Sequence, residues 1–130
     1  MKNSFLFFLL IMFNNLLFGQ YKITPKIAIE CTEVKNQQRT GTCWSFATSS
    51  FLESEVKRLK NIEIDLSEMF SVRSTYIDKA QNYLLRQGKA NFSEGSLSHD
   101  VINAVQKAGL VPEAIFTGKP EGESIHDHAE

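Results

Sequence analysis

Residues 41–46 read Gly-Thr-Cys-Trp-Ser-Phe, and Gln37 stands six positions before Cys43. From Cys43 to about Lys60 apolar residues recur with a spacing of 3.6, and neither Gly nor Pro interrupts them. This pattern predicts an α-helix that begins at the cysteine, with Thr42 as its N-cap. The residues expected on its inward face are Trp44, Ala47, Phe51, Leu52, Val56 and Leu59.

A cysteine at the start of a helix meets unpaired backbone amides and the positive end of the helix dipole. Both favour the thiolate, which is the nucleophilic form of the side chain. The same amides can donate to an oxyanion, and the side-chain amide of Gln37 can supply a second donor. Gly41 allows backbone and substrate to approach closely, and Trp44 is a bulky anchor for the helix. Cys43 is therefore the predicted nucleophile, and an inert buried thiol is the alternative.

Two further helices are expected. Asp65, with Glu68 three residues later, predicts a capping box at the start of a second helix, which Gly88 ends. A third helix is expected from about Leu97 to Ala108, with a glycine after it. The residues expected to face inward are Met69, Val72, Tyr76, Ala80, Tyr83 and Leu84 in the second helix, and Val101, Ile102 and Val105 in the third.

The chain has 130 residues and a formal net charge of −1, which allows one small domain. No basic patch or acidic tail stands out, so a nucleic-acid partner is not expected. Residues 21–34 are expected to be an extended lead-in, and the last ten residues a loop or frayed end.

The amino terminus has the pattern of an export signal. Lys2 supplies a positive charge, residues 5–13 are an unbroken apolar run, and Gly19 is a small residue suited to cleavage. A spanning helix needs ~20 apolar residues, so this run is short for an anchor. We expect residues 1–19 to be a cleaved signal peptide and residues 20–130 to be periplasmic or secreted, without stable membrane association. A retained membrane anchor is the alternative.

The two cysteines of an exported chain can form a disulfide. Cys31 and Cys43 are twelve positions apart, but a bridge between them would silence the predicted nucleophile. Cys31 is therefore expected to be an unpaired or buried thiol.

Three histidines are present. His99 is expected at the surface or as a capping residue near the third helix. His126 and His128 flank Asp127, and with Glu130 they could bind zinc, but two nearby imidazoles are a weak signal. No metal or other cofactor is expected.

Residues 40–44 resemble the C-G-[SA]-C-[WY] signature around the nucleophile of papain-type peptidases. Thr40 replaces the first cysteine, a usual disulfide partner, and Thr42 replaces the small residue. A closer resemblance, to the bacterial bleomycin hydrolase and aminopeptidase C branch of the papain superfamily, covers residues 34–112. The stretches that carry it are residues 39–48, 51–55, 66–70, 94–96 and 107–112, together with Asn103.

This resemblance implies an α+β, papain-like fold, of which the chain covers mainly the helical lobe with its central helix. It implies a cysteine-type peptidase, with aminopeptidase action of the bleomycin hydrolase type, that hydrolyses peptides through a Cys43 thioester. In the family the region of Gly95 lines the substrate pocket, so the expected substrate-binding residues are Gly41, Trp44, Gly95 and Ser96. Ser96 stands where a second glycine is common. The branch also suggests a homo-oligomer for the full-length protein.

The histidine that activates such a cysteine lies ~130–150 residues after it, here at about residue 173 at the earliest. The catalytic His and Asn are therefore expected beyond these 130 residues. The alternative is an inactive fragment or a pseudo-peptidase that binds peptides without cleaving them.

Overall fold

The computed structural model describes residues 23–128. In this range the chain forms three helices: α1 (Cys43–Lys60), α2 (Glu68–Leu85) and α3 (Ser98–Ala108). Single β-bridges join Arg39 to Asp127 and Leu66 to Pro112, and residues 23–128 contain no longer strand. This arrangement is compatible with the expected helical lobe. The predicted signal peptide lies outside the described residues.

No helix formed by residues 23–128 combines the length and the apolar character that a membrane crossing requires.

The bounds of α1 agree with the prediction from apolar spacing, but its cap differs. Thr42 occupies the N-cap position without a side-chain cap hydrogen bond. Its hydroxyl instead lies 2.5 Å from the hydroxyl of Thr40, and its carbonyl accepts from Ser45 N at 2.9 Å. The entry to α1 is therefore held by a pair of threonines in the preceding loop.

The predicted inward face of α1 is wrong in large part. Phe51 and Leu59 are each 63% exposed, and Ala47 is exposed too. The buried residues of this helix are Trp44, Ser45, Thr48, Ser49 and Glu53. Short hydroxyl side chains let the other helices approach this face closely, and Ser45 Oγ donates to Glu68 O at 2.9 Å. Among the residues of the predicted stripe, Trp44 alone is therefore buried.

The N-cap of α2 lies two residues after the predicted one. Ser67 is the N-cap, and its Oγ accepts from Phe70 N at 3.1 Å. The predicted capping role of Asp65 is wrong, because its carboxylate pairs with Lys35 instead. The last turn of α2 is exposed throughout, so Tyr83 and Leu84 do not join the core as expected.

The core lies where the three helices meet. It is built around Trp44, Met69, Val72 and Val101, with Phe46, Tyr76, Val105 and Phe116 packed against it. In α3, residues three and four apart share a face, so Val101 is buried together with Ala104. Ile102, which we expected to face inward, is 40% exposed.

A buried charge cluster joins the loop before α1 to α1 and α2. Lys35 Nζ lies 3.1 Å from Glu53 Oε1 and 3.0 Å from Glu68 Oε1, and it also pairs with Asp65. The side chains of Glu53 and Glu68 are 1% and 4% exposed. Burial lowers the pKa of Lys35, but hydrogen bonds to the three carboxylates outweigh it, so that this pKa is raised. The ammonium therefore stays charged and neutralises part of the cluster.

The segment after α3 docks on the start of α2 through its backbone. Ser67 N donates to Val111 O at 2.8 Å, and Glu113 N donates to Asp65 O at 3.0 Å. Ser67 Oγ donates to Phe116 O at 2.5 Å. Residues 111–116 are therefore held beside the buried charge cluster.

This docking brings a fourth carboxylate to the cluster. The Oε2 atom of Glu113 is buried and has no hydrogen-bond partner among the described residues. The pKa of Glu113 is raised to about 7, mainly by burial. The charges of Glu68 and Asp65 also raise it, whereas those of Lys35 and Lys119 lower it. The folded chain therefore favours protonated Glu113.

We expect Lys35→Met to destabilise the fold by about 3 kcal/mol, because two buried carboxylates lose their counter-charge. Lys107→Met is the matched control, since Lys107 pairs with the half-exposed Asp78 at 2.6 Å. Its loss should lower the free energy of unfolding by less than about 1 kcal/mol. Urea denaturation followed by circular dichroism measures both. Equal losses for the two variants would contradict the importance assigned to the cluster.

We expect Glu113→Gln to flatten the pH dependence of stability. Because the pKa of Glu113 is about 7 in the fold against an ordinary 4.5, its stabilising contribution is complete below about 4.5 and is lost as the pH rises through about 7. Between pH 5 and pH 8 the melting temperature of the wild type should therefore fall more than that of Glu113→Gln. Glu121→Gln, at an exposed site, should keep the wild-type slope.

Candidate functional site

Cys43 is a free, exposed thiol on the first residue of α1. It shares an open cavity of about 480 Å³ with Gln37, and the other lining residues are Val34, Lys35, Asn36 and Phe46. Its exposure is at odds with an inert buried thiol. Cys31 is unpaired as predicted, although it is exposed rather than buried.

The Gln37 side chain is oriented by the loop that leads to the nucleophile. Its Nε2 donates to Thr40 O at 2.6 Å, and Thr40 Oγ1 donates back to Gln37 O at 2.9 Å. A primary amide carries two N–H donors, so one remains for a group bound in the cavity. Gln37, held in this way, lines the same cavity as Cys43.

On another side of the nucleophile loop stands Glu94, which sequence reasoning missed. Its Oε2 accepts from Gly41 N at 2.5 Å, and its main-chain carbonyl accepts from Trp44 Nε1 at 3.1 Å. A Cβ atom at position 41 would lie 2.5 Å from that carboxylate oxygen. The close approach expected at Gly41 is therefore made by Glu94. In the sequence, the one indication of a role for Glu94 was its position next to Gly95.

The other predicted substrate-binding residues differ in their surroundings. Trp44 is buried in the core, so it would act on substrate by positioning the loop rather than by contact. Gly95 is exposed, and its carbonyl accepts from Lys79 Nζ. Ser96 Oγ donates to Asp100 Oδ2 at 2.5 Å and so braces the start of α3.

The last described residues are not a frayed end. Arg39 N donates to His126 O at 3.2 Å, and His128 N donates to Arg39 O at 3.1 Å. Arg39 also pairs with Asp127 at 3.1 Å, and His126 N donates to the side chain of Gln38. This segment therefore reinforces the loop that precedes the nucleophile.

None of the three histidine side chains lines the cavity of the nucleophile. His99 lies on the surface of α3, as expected. His126 packs edge-on against the ring of Phe46, with 6.4 Å between centroids, and burial lowers its pKa, as do the nearby charges of Lys119 and His128. His128 Nδ1 lies 3.3 Å from Glu94 Oε1. Within residues 23–128, no three side chains of His, Cys, Asp or Glu are grouped to hold a metal ion.

Sequence comparison relates the chain to cysteine proteases. A sequence model described as "Papain family cysteine protease" matches residues 23–118. Viral cathepsins of Autographa californica nuclear polyhedrosis virus and Bombyx mori nuclear polyhedrosis virus are each 35% identical over 80 residues. A viral cathepsin of Choristoneura fumiferana nuclear polyhedrosis virus is 33% identical over 78 residues.

These matches cover 60–62% of this chain but only 20–21% of each relative. The chain therefore spans about a fifth of the length of the curated relatives that it matches.

We expect Gly41→Ala to destabilise the fold by about 1–3 kcal/mol, because the new methyl group collides with Glu94. Combining it with Glu94→Gly should recover most of the loss, since the colliding atoms are gone. Gly95→Ala is the control, because no atom lies within 4 Å of its added Cβ. Denaturant midpoints measure all three, and an equal loss at both glycines would contradict the close approach.

Proposed function

Because the chain belongs to the papain family of cysteine proteases, we propose that it carries the nucleophile and part of the oxyanion site of a cysteine peptidase. The observation that supports this function most directly is the cavity that Cys43 shares with Gln37 at the start of α1. Its substrate would be a peptide.

In this mechanism the Cys43 thiolate attacks the carbonyl carbon of the scissile bond, and the carbonyl oxygen becomes an oxyanion. The free donor of Gln37 and the backbone N–H of Cys43 stabilise that charge. Collapse of the intermediate expels the amine and leaves a thioester, which water hydrolyses. A histidine outside residues 23–128 would take the thiol proton and give it to the leaving amine.

The whole peptidase would have the α+β, papain-like fold, with residues 20–130 forming mainly its helical lobe. The exposed side of α1 supports this view, because Phe51 and Leu59 are each 63% exposed although both are large and apolar. A second, β-rich lobe would cover this side and supply the histidine and asparagine. Residues 1–19 would direct export to the periplasm or the medium, and the full-length protein would be a homo-oligomer without a nucleic-acid partner.

Two branches of the family are candidates. The motif stretches 39–48 and 66–70 favour an aminopeptidase of the bleomycin hydrolase type. The viral cathepsins among the relatives favour a cathepsin-type peptidase as the second candidate. An aminopeptidase cleaves peptides with a free amino terminus and spares their N-acetylated forms, which a cathepsin-type endopeptidase would cleave internally.

In the full-length protein we expect Cys43→Ala to abolish peptide hydrolysis, because the nucleophile is lost. Gln37→Ala should lower kcat by about 10²–10³-fold with little change in KM, since an oxyanion donor acts in the transition state. Steady-state kinetics with a fluorogenic peptide measure both changes.

Cys31→Ser is the matched control and should retain wild-type rates, because this exposed thiol does not line the cavity. Hydrolysis that survives Cys43→Ala would overturn the proposed mechanism. Tight peptide binding without hydrolysis by the wild type would instead establish a peptide-binding pseudo-peptidase.

A further inference from the structure

The loop that carries Glu94 is fixed by side chains from two helices. The main-chain carbonyl of Glu94 accepts from Trp44 Nε1 at 3.1 Å and from Tyr76 Oη at 3.4 Å. The carbonyls on either side of it accept from Lys79 Nζ. Because α1 and α2 both hold this loop, the position of the carboxylate is set by the fold.

The Glu94 carboxylate lies close to the nucleophile. Its Oε2 is 2.5 Å from Gly41 N, and Gly41 precedes Cys43 by two residues. Two residues span at most about 7 Å, so the carboxylate oxygen lies within about 10 Å of the backbone of Cys43. The Glu94 side chain is 39% exposed, so a bound molecule can reach it.

Beside this carboxylate is a small pocket suited to a cationic side chain. It measures about 180 Å³ and is lined by Tyr76, Phe92, Ser93 and Glu94. The two aromatic rings offer apolar walls for the stem of a lysine or arginine, and the carboxylate offers a partner for its charged end.

Two basic side chains already lie nearby and leave the carboxylate accessible. His128 Nδ1 is 3.3 Å from Oε1, opposite the oxygen that Gly41 uses. Lys79 Nζ lies 5.8 Å from the Tyr76 ring centroid and is committed to the carbonyls of the loop.

We propose that Glu94 is a specificity-determining residue, which gives the cleft a preference for peptides with a lysine or arginine close to the scissile bond. This specificity rests on the proposed function, since it concerns the substrate of the same site. The carboxylate would attract the cationic side chain and repel an acidic one at the edge of the cleft.

The charge effect can be measured at the nucleophile without any peptidase activity. In a Cys31→Ser background, Cys43 is the remaining thiol and can be labelled with two methanethiosulfonates, one carrying trimethylammonium and the other sulfonate. At low ionic strength the ratio of cationic to anionic labelling rates should fall about fivefold in Glu94→Gln, as expected for one charge at this distance. Added salt should shrink the difference between the variants.

Two further variants separate charge from structure. Glu94→Asp keeps the charge and should retain most of the wild-type ratio. Glu63→Gln removes a charge that lies 3.7 Å from Lys57 Nζ, about 21 Å along α1 from Cys43, and should leave the ratio unchanged. Circular dichroism confirms that each variant is folded. An unchanged ratio in folded Glu94→Gln would overturn the inference.

In the full-length protein, Glu94→Gln should lower kcat/KM at least severalfold for peptides with lysine or arginine near the cleaved bond. The loss for otherwise identical norleucine peptides should be severalfold smaller. Equal losses on both peptides would overturn the specificity, while no hydrolysis of any peptide by the wild type would contradict the proposed function and leave the labelling ratio as the test of Glu94.

Discussion

The partly buried ammonium of Lys35 is the constraint on which the nucleophile loop depends. Glu53 and Glu68 come from two different helices, and both are almost fully buried. Carboxylates in such places require a counter-charge, and Lys35 supplies it from the loop that precedes α1. Since Gln37 follows two residues later, the same contact that neutralises these carboxylates also sets the position of the predicted oxyanion donor.

Hydrogen bonds hold the rest of this loop. Thr40, which stands where the resembling signature has a cysteine, bonds to the carbonyl of Gln37 and to the hydroxyl of Thr42. Glu94 then binds the amide of Gly41 from the other side. The nucleophile loop is thus held by hydrogen bonds within the loop and by one from Glu94.

Apolar spacing predicted where α1 begins and ends, because a continuous apolar stripe indicates a helix whichever face of that helix is buried. It did not predict the buried face, because Ser45 and Glu53 are buried through partners in α2 and in the loop before α1. Capping rules likewise predicted Asp65 as the N-cap of α2. Ser67 is the N-cap instead, because the carboxylate of Asp65 pairs with Lys35.

The site was predictable only where it is local in sequence. Cys43 and Gln37 lie six residues apart and could be recognised together. Glu94 meets Gly41 across 53 residues, and His126 meets Gln38 across 88. Contacts between residues so far apart in the chain depend on how the helices pack. Helix packing cannot be read from a single sequence.

Charge balance decides which acid in the cluster takes up a proton. Four carboxylates, those of Glu53, Asp65, Glu68 and Glu113, lie around one Lys35 ammonium. Glu53 Oε1 accepts from both Lys35 Nζ and Leu66 N, whereas Oε2 of Glu113 is buried without a donor among the described residues. Burial raises the pKa of Glu113 to about 7, and it raises the pKa of Glu68 as well. Because residues 111–116 dock beside this cluster, ionisation of one side chain near neutral pH acts on the same Lys35 that positions the nucleophile loop.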